Sequence, residues 1–281
     1  MKKLLAIITL IMLVSASIFA QNSDFIPKTE KIDNTGEKLW IYSITMGPSF
    51  PLGDLKNMST TGHNSGFAET GFFVDLSGDL PSLSAFGFTA SLHLHNFTVD
   101  EVKTSQKLLN RLEKSYRDVT QAEIDTMDFS TDYWLWGALL AGTKWKYPIK
   151  KGMNIELRAL TGLQLTRIPV HQLYFEDHEN PTTLFHTTVV DDNAFSIPVV
   201  VGANVNFKLN PKFSIKLNVD YYWSQVKYEI EDITWDKVNR EELASNRSEY
   251  KIKTTALNAG IGLVYYLDHE KKSGPPIIIN P

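Results

Sequence analysis

Eight long stretches of this chain alternate, residue by residue, between apolar side chains and small or polar ones. Successive residues of a β-strand point to opposite faces, so a period of two marks a strand with one apolar and one polar side. The stretches are Trp40 to Phe50, about Gly66 to Ser77, Ser84 to Phe97, Asp132 to Tyr147, Met153 to Arg167, Phe195 to Leu209, Phe213 to Trp223 and Tyr250 to Leu267. Most exceed the usual strand length of about five or six residues. In the sixth, Ile197, Val199, Val201, Val205 and Phe207 oppose Ser196, Gly202, Asn204, Asn206 and Lys208. Two stretches resist the pattern. Phe73 falls on the polar side of the second. In the fourth, Trp134, Trp136, Ala138 and Leu140 compete with Tyr133, Leu135, Leu139 and Ala141 for the apolar face.

The connections alternate too. Short turns lie near Gly78 to Leu83, Pro148 to Gly152 and Asn210 to Pro211. Long loops cover Pro51 to Ser65, Thr98 to Thr131, Ile168 to Asn193 and Lys227 to Glu249. Short turns at one end and long loops at the other are the pattern of an up-and-down barrel whose ends face different compartments. The second loop predicts a helix, with Leu108, Leu109, Leu112 and Tyr116 on one face. Thr120 and Glu123 have the spacing of a capping box for a further short turn.

Two barrels fit this pattern, and they differ in which face is outside. A soluble, lipocalin-like barrel turns its apolar set inward around a ligand. A membrane barrel presents it to lipid and fills its lumen with the polar set. Three features favour the membrane. The apolar sets run five to seven members per strand, which suits a tilted strand of about 10 residues crossing the hydrocarbon. The opposite face is rich in Gly, Ser, Thr and Asn. Aromatic residues collect near strand ends: Trp40, Tyr42, Trp134, Trp136, Trp145 and Tyr147, with Tyr221, Trp223 and Tyr265. They are expected to form the two interfacial belts.

The remaining composition narrows the class. A positive start (MKK), the apolar run Leu4 to Val14 and small residues after it read as a secretory signal over 1–20. Even with the residues that follow, to Ile18, the stretch is roughly 15 residues, short for an anchor helix. The polar segment 21–38 follows, then the barrel over 39–267, then a tail over 268–281. The chain has no cysteine, which excludes disulfides and thiolate chemistry. The net charge of −4, without a basic stripe, argues against a nucleic-acid partner.

The first strand runs into GPSFPLGDL at residues 47–55, and the last carries LNAGIGLVYYL at residues 257–267. Both segments resemble the PorT-like group of small outer-membrane β-barrel proteins. The resemblance implies an integral outer-membrane barrel and allows a role in a secretion or assembly machine that docks other envelope proteins.

The inferred inner face carries Glu69, Asp75, Glu156, Arg158, Lys208, Lys216 and Asp220, of both signs. Eight strands leave an interior just wide enough for side chains. Unpaired buried charge is costly, so these groups are expected to pair into a lumen network. His93 and His95 share that polar face. A zinc site would need a third protein ligand, with Glu69 a candidate by proximity alone, and a hydrogen-bonding role at the lumen mouth is the favoured reading. The loop histidines His63, His171, His178 and His186 lie near Glu176, Asp177, Glu179, Asp191 and Asp192, a composition that suits a divalent cation or simple solvation. For lipid hydrolysis, Ser91 and His93 are about 7 Å apart along the strand, too far for direct contact, and no GxSxG elbow is present.

The sequence thus predicts an all-β fold: an eight-stranded antiparallel up-and-down transmembrane β-barrel with four long outer loops. It sits in the outer membrane of a Gram-negative cell envelope as a monomer. Lipid is its partner, with other envelope proteins reached through the loops. No enzyme activity, cofactor or metal is expected. The alternatives are a small pore, a soluble ligand binder and a lipid hydrolase.

Overall fold

Continuous antiparallel pairing joins the alternating stretches into a closed ring. The computed structural model describes residues 40–59, 65–80, 85–115, 128–176, 183–190, 192–236, 238–239 and 241–267. The expected signal, the segment 21–38 and the tail 268–281 lie outside these residues, as do His63, Tyr116, the capping box at Thr120 and Glu123, Asp177, His178, Glu179 and Asp191.

The ring runs β1 (Trp40–Leu52), β2 (Gly71–Asp79), β3 (Phe86–Phe97), β5 (Trp134–Lys150), β6 (Met153–Arg167), β10 (Val199–Lys208), β11 (Phe213–Asp236) and β12 (Glu241–Leu267). β12 returns to pair with β1, and β10 with β11. Closure removes every sheet edge at the level of the ring, where an open edge would leave backbone groups unpaired in lipid. Four shorter strands complete the sheet. β4 (Asp128–Thr131), β7 (His171–Glu176) and β8 (Thr183–Val189) extend from the upper part of β11. β9 (Asn193–Ser196) continues the line of β10 along β6. Ile197 and Pro198 separate the two, since proline cannot donate to a ladder. α1 (Glu101–Ser115) lies in the second loop. Asp100 opens it, accepting from the Lys103 N–H at 3.1 Å, and that bond holds its carboxyl below the usual range.

The burial pattern is inverted relative to a soluble protein. Leu139, Leu163 and Ile261 are 67%, 67% and 58% exposed in mid-strand, while Asp75 and Asp220 are fully buried. Such an arrangement is stable only where lipid covers the outside, so the chain is an outer-membrane β-barrel. Aromatic residues stand at both rims of the apolar band. Tyr42, Phe86, Phe88, Tyr147 and Phe207 mark the short-turn end, and Phe50, Phe72, Phe195 and Tyr221 the long-loop end. From Tyr42 to Phe50 is about 26 Å along the strand at roughly 3.3 Å per residue, or about 20 Å along the membrane normal at a tilt of about 40°, most of an apolar band about 25 Å tall.

Two elements run further than the alternation indicates. β11 and β12 extend as a hairpin above the band, paired through Asp236↔Glu241. Here Lys227 to Asp236 and Glu241 to Glu249, expected as loop, are strand. Above the band one face still packs on protein, with Val226, Tyr228 and Ile230 buried, while the other meets water and carries charge. Without lipid to demand it, the outward apolar set disappears and the pattern fades. There, outside the membrane, the Arg247 guanidinium and the Ser245 hydroxyl hold the Glu231 carboxyl below the usual range.

Candidate functional site

The even residues of β5 point inward, so the disputed fourth stretch resolves in favour of Tyr133, Leu135, Leu139 and Ala141 outside. Trp134 and Trp136, expected in an interfacial belt, are each 1% exposed inside the barrel. The inward row of β5 also brings in Lys144 and Lys146. Of the other expected belt residues, Tyr42, Trp145, Tyr147 and Tyr265 lie on outward rows near the short-turn end with Trp40, and Tyr221 and Trp223 near the opposite rim.

The lumen is stacked in three tiers. The lowest, toward the short turns, pairs Lys144 with Asp79 and Lys146 with Glu156, the latter at 3.1 Å. Lys216 lies across from Gly262, and its ammonium donates to Ser43 Oγ at 2.6 Å. Asp79, Lys144, Glu156, Lys216 and Ser43 line a cavity of about 20 Å³ together with Ser77 and Asn204, room for about one water.

The middle tier centres on Arg158. Its Nε donates to Asp220 Oδ1 at 3.0 Å and its terminal nitrogen bonds Oδ2 of the same carboxylate. Its other terminal nitrogen lies 2.8 Å from Asp75 Oδ2. Ser91 donates to Asp75 Oδ1 at 2.5 Å, and His93 Nε2 faces that oxygen at 3.4 Å off the hydrogen-bond line. The reach of Arg158 depends on Gly202, which lies opposite both Arg158 on β6 and Asp220 on β11. A Cβ at Gly202 would sit on Asp220 Oδ1. Gly202→Ala is therefore expected to displace the carboxylate and destabilise the barrel by about 1–3 kcal/mol, measured as an earlier urea midpoint for loss of the heat-shifted band.

Asp75, His93 and Asp220 each offer a ligand atom within 4.8 Å of the others. The guanidinium of Arg158 bonds both carboxylates, so a cation is already supplied. Glu69, the third ligand suggested by proximity, is not part of the group. It is exposed above the start of β2 and accepts from Thr98 Oγ1 at 3.1 Å. Lys208 is likewise exposed, at the end of β10. Both have inward parity but stand past the ends of the ring, where water solvates charge better than a lumen does. Across the lumen itself, the four carboxylates Asp75, Asp79, Glu156 and Asp220 meet four cations, Lys144, Lys146, Arg158 and Lys216. Lys144 and Lys146 are not legible in the sequence because both faces of β5 are apolar there, and Asp79 stands just past the second alternating stretch, which ends at Ser77.

The third tier is aromatic. His95 stacks on Trp136 and Phe97 with centroids 5.0 and 6.1 Å away, and Tyr222 lies 4.9 Å from it. Phe73, which broke the alternation of β2, closes this layer at 6.0 Å from His95. Tyr222 donates to Gln164 Oε1 at 2.9 Å. Above it the first loop turns into the mouth: Leu55, Phe67 and Ala68 are buried with Trp134, Ile168 and Ile252. Trp134 Nε1 donates to the Gly66 carbonyl at 2.9 Å, which ties the loop to the wall. Lys107 of α1 covers the Phe67 and Tyr250 rings at 5.2 and 5.8 Å. Among the loop histidines, His186 lies on β8 outside the barrel, and the side chain of His171 is not described.

Solved structures with a similar chain trace are small outer-membrane β-barrels. A major outer membrane protein from Thermus thermophilus is 14% identical over 81% of this chain and 99% of its own, with a TM-score of 0.39. The attachment invasion locus protein Ail of Yersinia pestis is 12% identical over 82% and 99%, with a TM-score of 0.37. Neisserial surface protein A is 9% identical over 81% and 96%, with a TM-score of 0.33. At these values the barrel is established by its own strand ring. No protein-family model matches the chain, and no curated protein matches its sequence.

Proposed function

We propose that this barrel is a closed, non-enzymatic anchor of the outer membrane that acts through the surfaces it holds outside. The observation that carries the reading is the filled lumen: a neutralised charge network, an aromatic layer and a loop folded into the mouth lie one above another. A pore needs a continuous wet path, and these tiers interrupt it at three levels. A hydrolase needs a nucleophile that touches its substrate. Ser91 is 5% exposed, and its proton goes to Asp75. What remains accessible is the sheet of β12, β11, β8, β7 and β4 above the membrane, a platform on which recognition by an envelope partner or an external ligand would occur. The resemblance of residues 47–55 and 257–267 to PorT-like barrels favours an envelope partner, within a secretion or assembly machine.

The test is single-protein recording in planar bilayers. The expected trace is flat, without discrete openings, at potentials where porins conduct. Steady unitary steps from the wild-type protein would overturn the closed-barrel reading and leave the small pore in its place.

A further inference from the structure

The outward face of the β11–β12 hairpin carries a layer of lysines at a defined height. Trp223 and Thr255 are opposite one another at the outer aromatic rim. One step up along the same face are Gln225 and Lys253, and one step further Lys227 and Lys251, again directly opposite. At roughly 3.3 Å per residue this places the lysines about 7–13 Å beyond Trp223 along the strand. Aromatic belts sit at headgroup level, so the ammonium groups stand among the headgroups of the outer leaflet or just above them.

The arrangement is unfavourable without a ligand. Like charges directly opposite on neighbouring strands repel. Glu249 reaches both Lys227 and Lys251, at 3.3 and 3.5 Å, and among the described residues no other carboxylate lies within 4.0 Å of either. Lys253 is exposed with no side-chain ion pair among those residues, although its backbone N–H donates to Asp54 at 3.4 Å. The next layer up, Glu229 opposite Glu249, is acidic. From Trp223 up to this layer charge is sorted, with lysines toward the bilayer and glutamates toward solution, and in the layer above Glu231 pairs with Arg247. Lys227 and Lys251 keep their side chains 62% and 52% exposed, free to reach a headgroup.

We propose that Lys227, Lys251 and Lys253 form a binding site for the phosphate groups of a phosphorylated glycolipid in the outer leaflet. Three ammonium groups stand against two carboxylates, Glu249 between Lys227 and Lys251 and Asp54 at the Lys253 backbone, which leaves a surplus of one positive charge and suits a phosphate held at fixed depth by its acyl chains. The aromatic pair Tyr221 and Trp223 below offers a surface for the sugar and upper acyl region. The site rests on the membrane reading of the fold, because the lysine height has meaning only relative to a bilayer.

The experiment compares the wild-type barrel with the triple variant Lys227→Gln, Lys251→Gln, Lys253→Gln in nanodiscs. Three lipid compositions are used: zwitterionic phospholipid alone, the same with a bisphosphorylated glucosamine-disaccharide lipid, and the same with its dephosphorylated form. Lipid retained on the purified barrel is quantified by mass spectrometry. The wild type is expected to retain the phosphorylated glycolipid over the dephosphorylated one, and the triple variant to lose roughly tenfold of that preference. Inorganic phosphate added to the nanodiscs that hold the phosphorylated glycolipid is expected not to reduce its retention at millimolar concentration; a reduction would mean that the site takes free phosphate, against the proposal. Equal retention by wild type and variant, or no preference for the phosphorylated lipid, would also overturn it. The heat-shifted gel band in each sample reports barrel insertion independently, so failure of the lipid site is distinguishable from failure of the membrane reading.

Discussion

Replacing Arg158 with alanine is expected to lower the stability of the folded barrel by about 3–5 kcal/mol. The guanidinium bonds Asp220 through two nitrogens and pairs with Asp75 through a third, and both carboxylates are fully buried. Removing it strands two negative charges in a lumen with no lysine or other arginine within 4.0 Å of them among the described residues. The effect would be measured by urea titration of barrels refolded into phospholipid vesicles, followed by tryptophan fluorescence and by the heat-shifted band. The companion variant Arg158→Met, Asp75→Asn, Asp220→Asn removes all three charges together. It is expected to recover most of the loss, since a neutral, packed replacement of a buried triad is often as stable as the original. If Arg158→Ala costs less than about 1 kcal/mol, the triad is wetter than its burial indicates, and water rather than the guanidinium carries the compensation.

Trp136→Ala is expected to cost a comparable amount, about 3–5 kcal/mol, through a different mechanism. The indole is 1% exposed and packs in the lumen on His95 and Phe97 of the neighbouring β3, with ring centroids 5.0 and 4.7 Å away, and against Tyr222 of β11 at 6.0 Å. Its removal leaves a hole that rigid strand backbones cannot collapse to fill. Trp136→Phe keeps most of the stack and is expected to lose less than half as much. An alanine variant with an unchanged urea midpoint would place Trp136 outside the packed layer, as an interfacial residue would be. The measurement therefore also tests the inward facing of β5.

The two predictions concern the part of the molecule least legible in the sequence. The eight ring strands, their up-and-down order and the inversion of faces followed from a single signal, period-two alternation with short and long connections, because lipid on one side and a narrow polar lumen on the other impose a residue class on every position between the rims. His93 and Asp75 could be assigned to the inner face by parity alone. That parity stops being informative at the ends of the ring. Glu69 and Lys208 have inward parity, but water reaches them. Lys227 to Asp236 and Glu241 to Glu249 are strand, but no lipid acts on them.

Where both faces of a stretch are apolar, the alternation has two solutions, and only packing chooses between them. Trp134 and Trp136 are as suited to a headgroup belt as to a lumen. They face inward because Gly66 offers the Trp134 indole a carbonyl, and because His95, Phe97 and Tyr222 build a layer around Trp136. Phe73 shows the same thing from another strand: an apolar intruder on a polar face until His95, its partner on β3, is known to belong to an aromatic layer. The sequence by itself determined the barrel, its strand order and the medium each regular face meets, since those depend on the local period and on the solvent. The partners across the lumen, Arg158 with Asp75 and Asp220 through the gap at Gly202, and the closure of the mouth by the first loop were decided only by the tertiary structure. Those contacts join residues remote along the chain, and their geometry exists only once the ring has closed.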